Sequence, residues 1–276
     1  MAVGILVLVA VVIVPVTLLA RQHSPSPSNG GGATSPPVGS PSSSLEALYR
    51  QALSAADTPS GCHYVATTSG GTATQKIVGD AGQHGGRQLI TLSSSFGAEQ
   101  FTLILTGTTV YFQGNVPAFE DQLGVAAAEA NTLQGRWISV VAGDGPYNVL
   151  QPGITVADQA QELGLQPATS GDVSDGGVSA VRLSGTVPPQ NGAPSGSGHL
   201  DIAAATHLPL VYVTSVSDGQ TTISSTTTFS AWGSAVTESA PATPVAWSTL
   251  GASEPPGGYG GGGGGGGAAS PTPQTL

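Results

Sequence analysis

Apolar and polar positions alternate in one part of this chain and recur at helical spacing in the next. Phe101, Leu103 and Leu105 fall on one face of Glu99–Thr106, and Val110 and Phe112 on one face of Thr109–Gly114. A period of two predicts strands with one buried face, joined here at Gly107-Thr108. Between Asn115 and Gly135, Phe119, Leu123, Ala127 and Ala130 recur at helical spacing. Arg136–Val141 then reads as strand again. A helical segment thus leaves a sheet and the chain returns to it at once, which can place a cover over an apolar sheet face.

The same reading extends in both directions. Leu45–Ala56 is predicted as a helix, with Leu45, Leu48, Tyr49, Ala52 and Leu53 in one stripe, Ser43 and Glu46 as a capping box and Asp57-Thr58-Pro59 as its end. Strands follow at Cys62–Thr68, Thr74–Gly79 and Arg87–Ser93, divided by glycine-rich turns at Gly79–Gly82 and His84–Gly86. These glycines lack the following helix and the Lys-Ser/Thr ending of a phosphate loop. Thr155–Leu163 is a further helix, capped by Thr155 and Asp158, with Val156, Ala160 and Leu163 on one face; Tyr147, Val149 and Leu150 lead into it and extend the cover. Strands resume at Ala168–Ser174, Val178–Val187, Ser197–Ala205, Leu210–Ser217 and Thr221–Trp232. Pro209 has no N–H for a central ladder and belongs at a strand start or edge. Val236, Val245 and Trp247 are the last expected docking residues.

Four regions result. Residues 1–21 hold the uncharged apolar run Ala2–Ala20, long enough to cross a bilayer. A cleaved signal peptide is the alternative, but Leu18-Leu19-Ala20 is a poor cleavage end and no basic residue precedes the run. An uncleaved membrane anchor is expected, with the folded part outside the cytoplasm, although Arg21 votes weakly against that orientation. Residues 22–43 are a Ser/Pro/Gly tether, residues 44–250 a β-rich domain, and residues 251–276 a Gly-rich tail expected to be disordered.

Composition narrows the function. The 276 residues carry a net charge of −10, so the basic footprint that nucleic acid requires is missing. Cys62 is the only cysteine, which leaves no disulfide framework and no Cys-based zinc site. The one crowded polar cluster, Ser195, Ser197, His199 and Asp201, alternates along a single strand, where a nucleophile cannot meet its base head-on. Alternate residues share a strand face, so His199 and Asp201 could touch there. His63, His84, His199 and His207 are scattered, and the pairs Glu120 and Asp121, and Asp172 and Asp175, are expected in helix or turn. No catalytic residue, cofactor or metal site is expected.

The order of elements resembles the LolA-like fold, and most closely the actinobacterial LppX/LprG-type lipid-carrier lipoproteins. The resemblance covers about Leu45–Val236. It is carried by Thr109-Val110-Tyr111-Phe112-Gln113-Gly114, Gly135-Arg136-Trp137-Ile138-Ser139-Val140, Ala180-Val181-Arg182-Leu183-Ser184-Gly185 and Thr228-Phe229-Ser230-Ala231-Trp232-Gly233. It implies an α+β fold in which an incomplete, half-open antiparallel β-barrel has short helices covering its concave face, and an apolar cavity for acyl chains. The chain departs from the family in having no cysteine directly after its apolar run to carry a lipid.

The expected function is therefore an extracytoplasmic, membrane-anchored protein that carries or senses a lipid-like ligand. Its cavity would be lined by Phe101, Leu103, Leu105, Val110, Phe112, Phe119, Leu123, Leu150 and Leu163. The partners expected are a lipid or acyl chain and the cytoplasmic membrane, with no nucleic acid. The alternative is a ligand-free structural or interaction module of the cell envelope.

Overall fold

The computed structural model describes residues 41–95, 97–189 and 194–250. The expected anchor, nearly all of the tether and the Gly-rich tail lie outside the described residues. No helix among the described residues is long and apolar enough to cross a membrane.

One open sheet of twelve strands dominates the fold. Helix α1 (Pro41–Asp57) comes first, followed by β1 (Gly61–Gly70), β2 (Ala73–Gly82), β3 (Gly85–Ser94), β4 (Gly97–Thr106) and β5 (Thr109–Gly114). Two short helices, α2 (Val116–Leu123) and α3 (Ala127–Leu133), separate β5 from β6 (Ile138–Val141). Helices α4 (Tyr147–Leu150) and α5 (Val156–Gln161) then precede β7 (Gln166–Asp175), β8 (Val178–Val187), β9 (Gly196–Ala203), β10 (Pro209–Ser217), β11 (Thr222–Ser230) and β12 (Val245–Ala246). The spatial order is β12-β6-β5-β4-β3-β2-β1-β11-β10-β9-β8-β7, antiparallel except for the two-residue β12, which runs parallel to β6. The end strands β12 and β7 do not pair, so the sheet is not closed.

This order makes the chain after β6 a long crossover. β6 lies next to one end of the sheet and β7 forms the other. Residues 142–165, with α4 and α5, must therefore travel from one side of the sheet to the other; we call this segment the strap. Midway, Thr155 forms a parallel bridge with Gly82 of β2. Helix α1 packs on α5 and β7, with Ala52 and Ala56 fully buried and the Tyr49 hydroxyl accepting from Leu165 N–H.

Several local expectations change. Helix α1 begins at Pro41, which puts Ser43 inside the helix instead of at its cap. The helical segment after β5 breaks into two at Gly124, whose left-handed backbone (φ 63°) lets its N–H close α2 on Glu120 and Phe119 carbonyls. Gly79–Gly82 is part of β2, and only Gln83-His84 turns the chain into β3. Asp172 and Asp175 both lie in β7, not in a turn or helix. The capping box of α5 forms as expected: Asp158 N–H donates to Thr155 Oγ1 at 3.2 Å and Thr155 N–H to Asp158 Oδ2 at 3.0 Å. Pro209 opens β10, where the register with β9 shifts.

Candidate ligand-binding interior

The nine residues expected to line a cavity all fall in one buried cluster. Register sets the first five. Leu103 faces Phe112 and Leu105 faces Val110 across β4 and β5, while Phe101 faces Gly114. Phe101 and Phe112 stack with ring centroids 5.2 Å apart, and Phe119 of α2 meets Phe112 edge-on at 5.3 Å. Asn115 aims α2 at that point. Its Oδ1 accepts from Ala118 N–H at 3.2 Å and from Gln100 N–H at 3.1 Å, and its Nδ2 donates to Ala98 O at 3.0 Å. The helix start is thereby tied to β4, and Leu123 follows Phe119 inward one turn later. Leu150 ends α4 and Leu163 follows α5. All nine side chains are 0–5% exposed. Tyr147 is half-buried and Val149, at 52%, points to solvent.

A polar hub sits within this apolar interior. The carbonyl of Gly153, on the strap, accepts from Tyr64 Oη at 2.9 Å, Gln88 Nε2 at 2.7 Å and Gln159 Nε2 at 2.6 Å. Gln88 also donates to Tyr64 Oη at 2.6 Å. Tyr64 is on β1, Gln88 on β3 and Gln159 on α5, so one carbonyl ties the strap to the sheet at its centre. Two more tyrosines hold the strap further along. Tyr49 Oη donates to Leu163 O, and Tyr212 Oη donates to Gly164 O at 2.6 Å. Pairing of this kind offsets the desolvation cost of burying these polar groups.

One group breaks that pattern. Glu162, at the C-terminal cap of α5, is half-buried as a residue, yet its Oε1 is closed off from solvent and has no hydrogen-bond partner among the described residues. Burial, and then the charge of Asp158, push its carboxyl up from the ordinary 4.5 to about 8. Burial also raises the hydroxyls of Tyr64, Tyr212 and Tyr49; the Glu162 charge adds to the first two. Cys62 is buried, and desolvation pushes its thiol up to about 12, an unreactive state.

The hub is not among the residues singled out from the sequence. Its one sequence signal is phase. Gln88 shares a face with Ile90 and Leu92 on the predicted strand Arg87–Ser93, so an amide had to be accommodated among apolar side chains. Gln159 and Glu162 likewise fall beside Val156, Ala160 and Leu163 on the predicted helix Thr155–Leu163.

The polar cluster on β9 does not converge. Asp201 is bound by Arg182 of β8, with Nε–Oδ1 at 2.7 Å and Nη2–Oδ2 at 2.6 Å, instead of by His199. Ser195 and Ser197 are exposed. Burial, and then the Arg182 charge, hold the His199 imidazole below its ordinary value. No group of three or more His, Cys, Asp or Glu that could hold a metal occurs among the described residues.

No family model and no curated protein sequence matches the chain. Solved structures do. The fold is similar to LprF from Mycobacterium bovis, at 19% identity and a TM-score of 0.47, over 74% of this chain and 99% of that one. It is also similar to the Mycobacterium tuberculosis lipoprotein LppX, at 15% identity and a TM-score of 0.46, over 71% and 98% of the two chains. An uncharacterised conserved protein from Thermus thermophilus matches at 12% identity and a TM-score of 0.39, over 74% and 98%. LppX is one of the proteins for which the sequence resemblance is named.

Proposed function

We propose that this chain is an extracytoplasmic, membrane-anchored binding protein, not an enzyme, that takes a lipid-like apolar ligand between its sheet and its helical cover. In this reading the open sheet is a half-open barrel, the short helices cover its concave face, and Ala2–Ala20 is the anchor. The observation that carries the reading is the make-up of the cover. The cluster on the sheet face is covered by helices instead of by a second sheet: α1, of 17 residues, through Tyr49 and Ala52, and α2, α3, α4 and α5, of 8, 7, 4 and 6 residues. Helices as short as α2–α5 depend on packing for their stability, so that part of the roof can lift while the sheet stays intact. The nine predicted residues are closed to water, and entry of a ligand therefore goes with opening of the roof.

A second reading draws on that same closure. Side chains 0–5% exposed and stacked ring on ring are what a filled core looks like. On this view the domain is a ligand-free interaction module of the cell envelope. Solvent extraction of the purified full-length chain, with mass spectrometry of the extract, separates the two. An acyl lipid in stoichiometric amount supports the carrier; none, together with no uptake of added lipid, supports the module.

A further inference from the structure

We propose that the Glu162 carboxyl is the polar anchor of the ligand site, and that the ligand is an acyl lipid with an uncharged hydroxyl headgroup, such as a long-chain alcohol or a monoacylglycerol. The inference rests on the lipid-binding reading above.

The geometry singles out Glu162. Around it the strap's polar groups are matched: the Gly153, Leu163 and Gly164 carbonyls all receive donors from the sheet or from α1. Oε1 alone is sealed from solvent and unpartnered among the described residues. Leaving a buried polar atom unpaired carries a real cost. A ligand group that fills that valence recovers it. The carboxyl stands near two sheet tyrosines, Tyr64 and Tyr212, both of which respond to its charge. Their hydroxyls already donate to strap carbonyls, so the missing partner must come from elsewhere.

The chemistry of the site selects the headgroup. Glu162 lies within range of the Asp158 charge, and no Lys or Arg among the described residues is hydrogen-bonded or ion-paired to its free oxygen. A fatty-acid carboxylate brought there would place a further negative charge near Asp158 without a counter-ion. A hydroxyl adds no charge, donates to the free oxygen and accepts from the carboxyl when it is protonated. An alkyl chain attached to that hydroxyl would continue into the apolar cluster.

The test uses the full-length chain in amphipol with a photoactivatable, clickable long-chain alcohol, its methyl ether and the matching fatty acid. Labelled fraction is read by intact mass, and the site by peptide mapping. The wild type should label with the alcohol about three- to tenfold better than with the ether, the worth of roughly one net hydrogen bond. Glu162→Leu should lower the alcohol to the level of the ether, and Glu162→Gln, which can still accept, should keep most of the preference. An alcohol-to-ether ratio that is unchanged in Glu162→Leu overturns the anchor and leaves lipid binding standing. Preferential labelling by the fatty acid also overturns it. No saturable labelling of wild type by any of the three removes the lipid reading itself.

Discussion

The ring of Tyr64 lies over Gly79, its register partner on β2: a Cβ on Gly79 would come 2.3 Å from Cζ, 2.5 Å from Cε1 and 2.6 Å from the hydroxyl oxygen. The glycine is the space in which the tyrosine lies down to reach Gly153. Gly79→Ala should therefore force the ring off the strap. We expect a loss of about 1–3 kcal/mol, the usual cost of overpacking, with loss of the hub added to it. Chemical denaturation of wild type and variant measures this; an unchanged midpoint contradicts the packing described.

Tyr64→Phe keeps the ring and removes only the hydroxyl, which leaves Gln88 and Gly153 each short of one partner. About 1–2 kcal/mol should be lost. Amide exchange should rise first in residues 142–165, because the hub joins strap to sheet. Exchange that rises evenly over the whole sheet would mean that the strap opens only by global unfolding.

Glu162 makes stability pH-dependent. Its folded value is raised to about 8 above the ordinary 4.5, so the folded chain holds a proton that the unfolded chain loses between those values. The contribution is fully present below about 4.5 and is lost as pH rises through about 8. The titratable groups facing it are Asp158 on α5, Tyr64 on β1 and Tyr212 on β10; the tyrosines stay protonated throughout that window. Glu162→Gln should flatten the slope and be the more stable protein at pH ~9. Parallel slopes for the two proteins between about pH 5 and 8 would contradict a buried carboxyl.

Arg182 and Asp201 form a two-pronged pair in which the aspartate side chain is 2% exposed and the arginine 41%. Arg182→Ala strands a buried carboxylate. The loss should be about 2–3 kcal/mol, below that of a wholly buried pair because the arginine is partly solvated. Arg182→Lys should recover only part of it, since an ammonium cannot reproduce both contacts. Thermal melts of the two variants decide this.

Period-two alternation made the β4–β5 hairpin legible, because Phe101, Leu103, Leu105, Val110 and Phe112 each have one buried face and a partner fixed by register. The cap of α5 was legible for a local reason too: Thr155 and Asp158 need only each other. Gly79 was not. It ends the predicted strand Thr74–Gly79, but nothing in the spacing shows that a tyrosine on the neighbouring strand needs the space of its missing side chain. The break at Gly124 was hidden because Ala127 and Ala130 continue the helical spacing past it. Long-range pairing hid the hub as well. Gln88 and Gln159 meet on Gly153 only once the strap has crossed the sheet, and no spacing along the chain encodes that meeting.

Uptake of a fluorescent acyl-chain probe by the full-length chain in amphipol, compared with Leu103→Trp, tests most directly whether the interior holds a lipid. Leu103 is buried in the cluster, facing Phe112. The larger ring should cost about 1–3 kcal/mol and take up the ligand's volume. The account predicts saturable uptake by wild type and its loss in a Leu103→Trp protein that still melts cooperatively. No saturable uptake by the wild type would contradict it and leave a closed core.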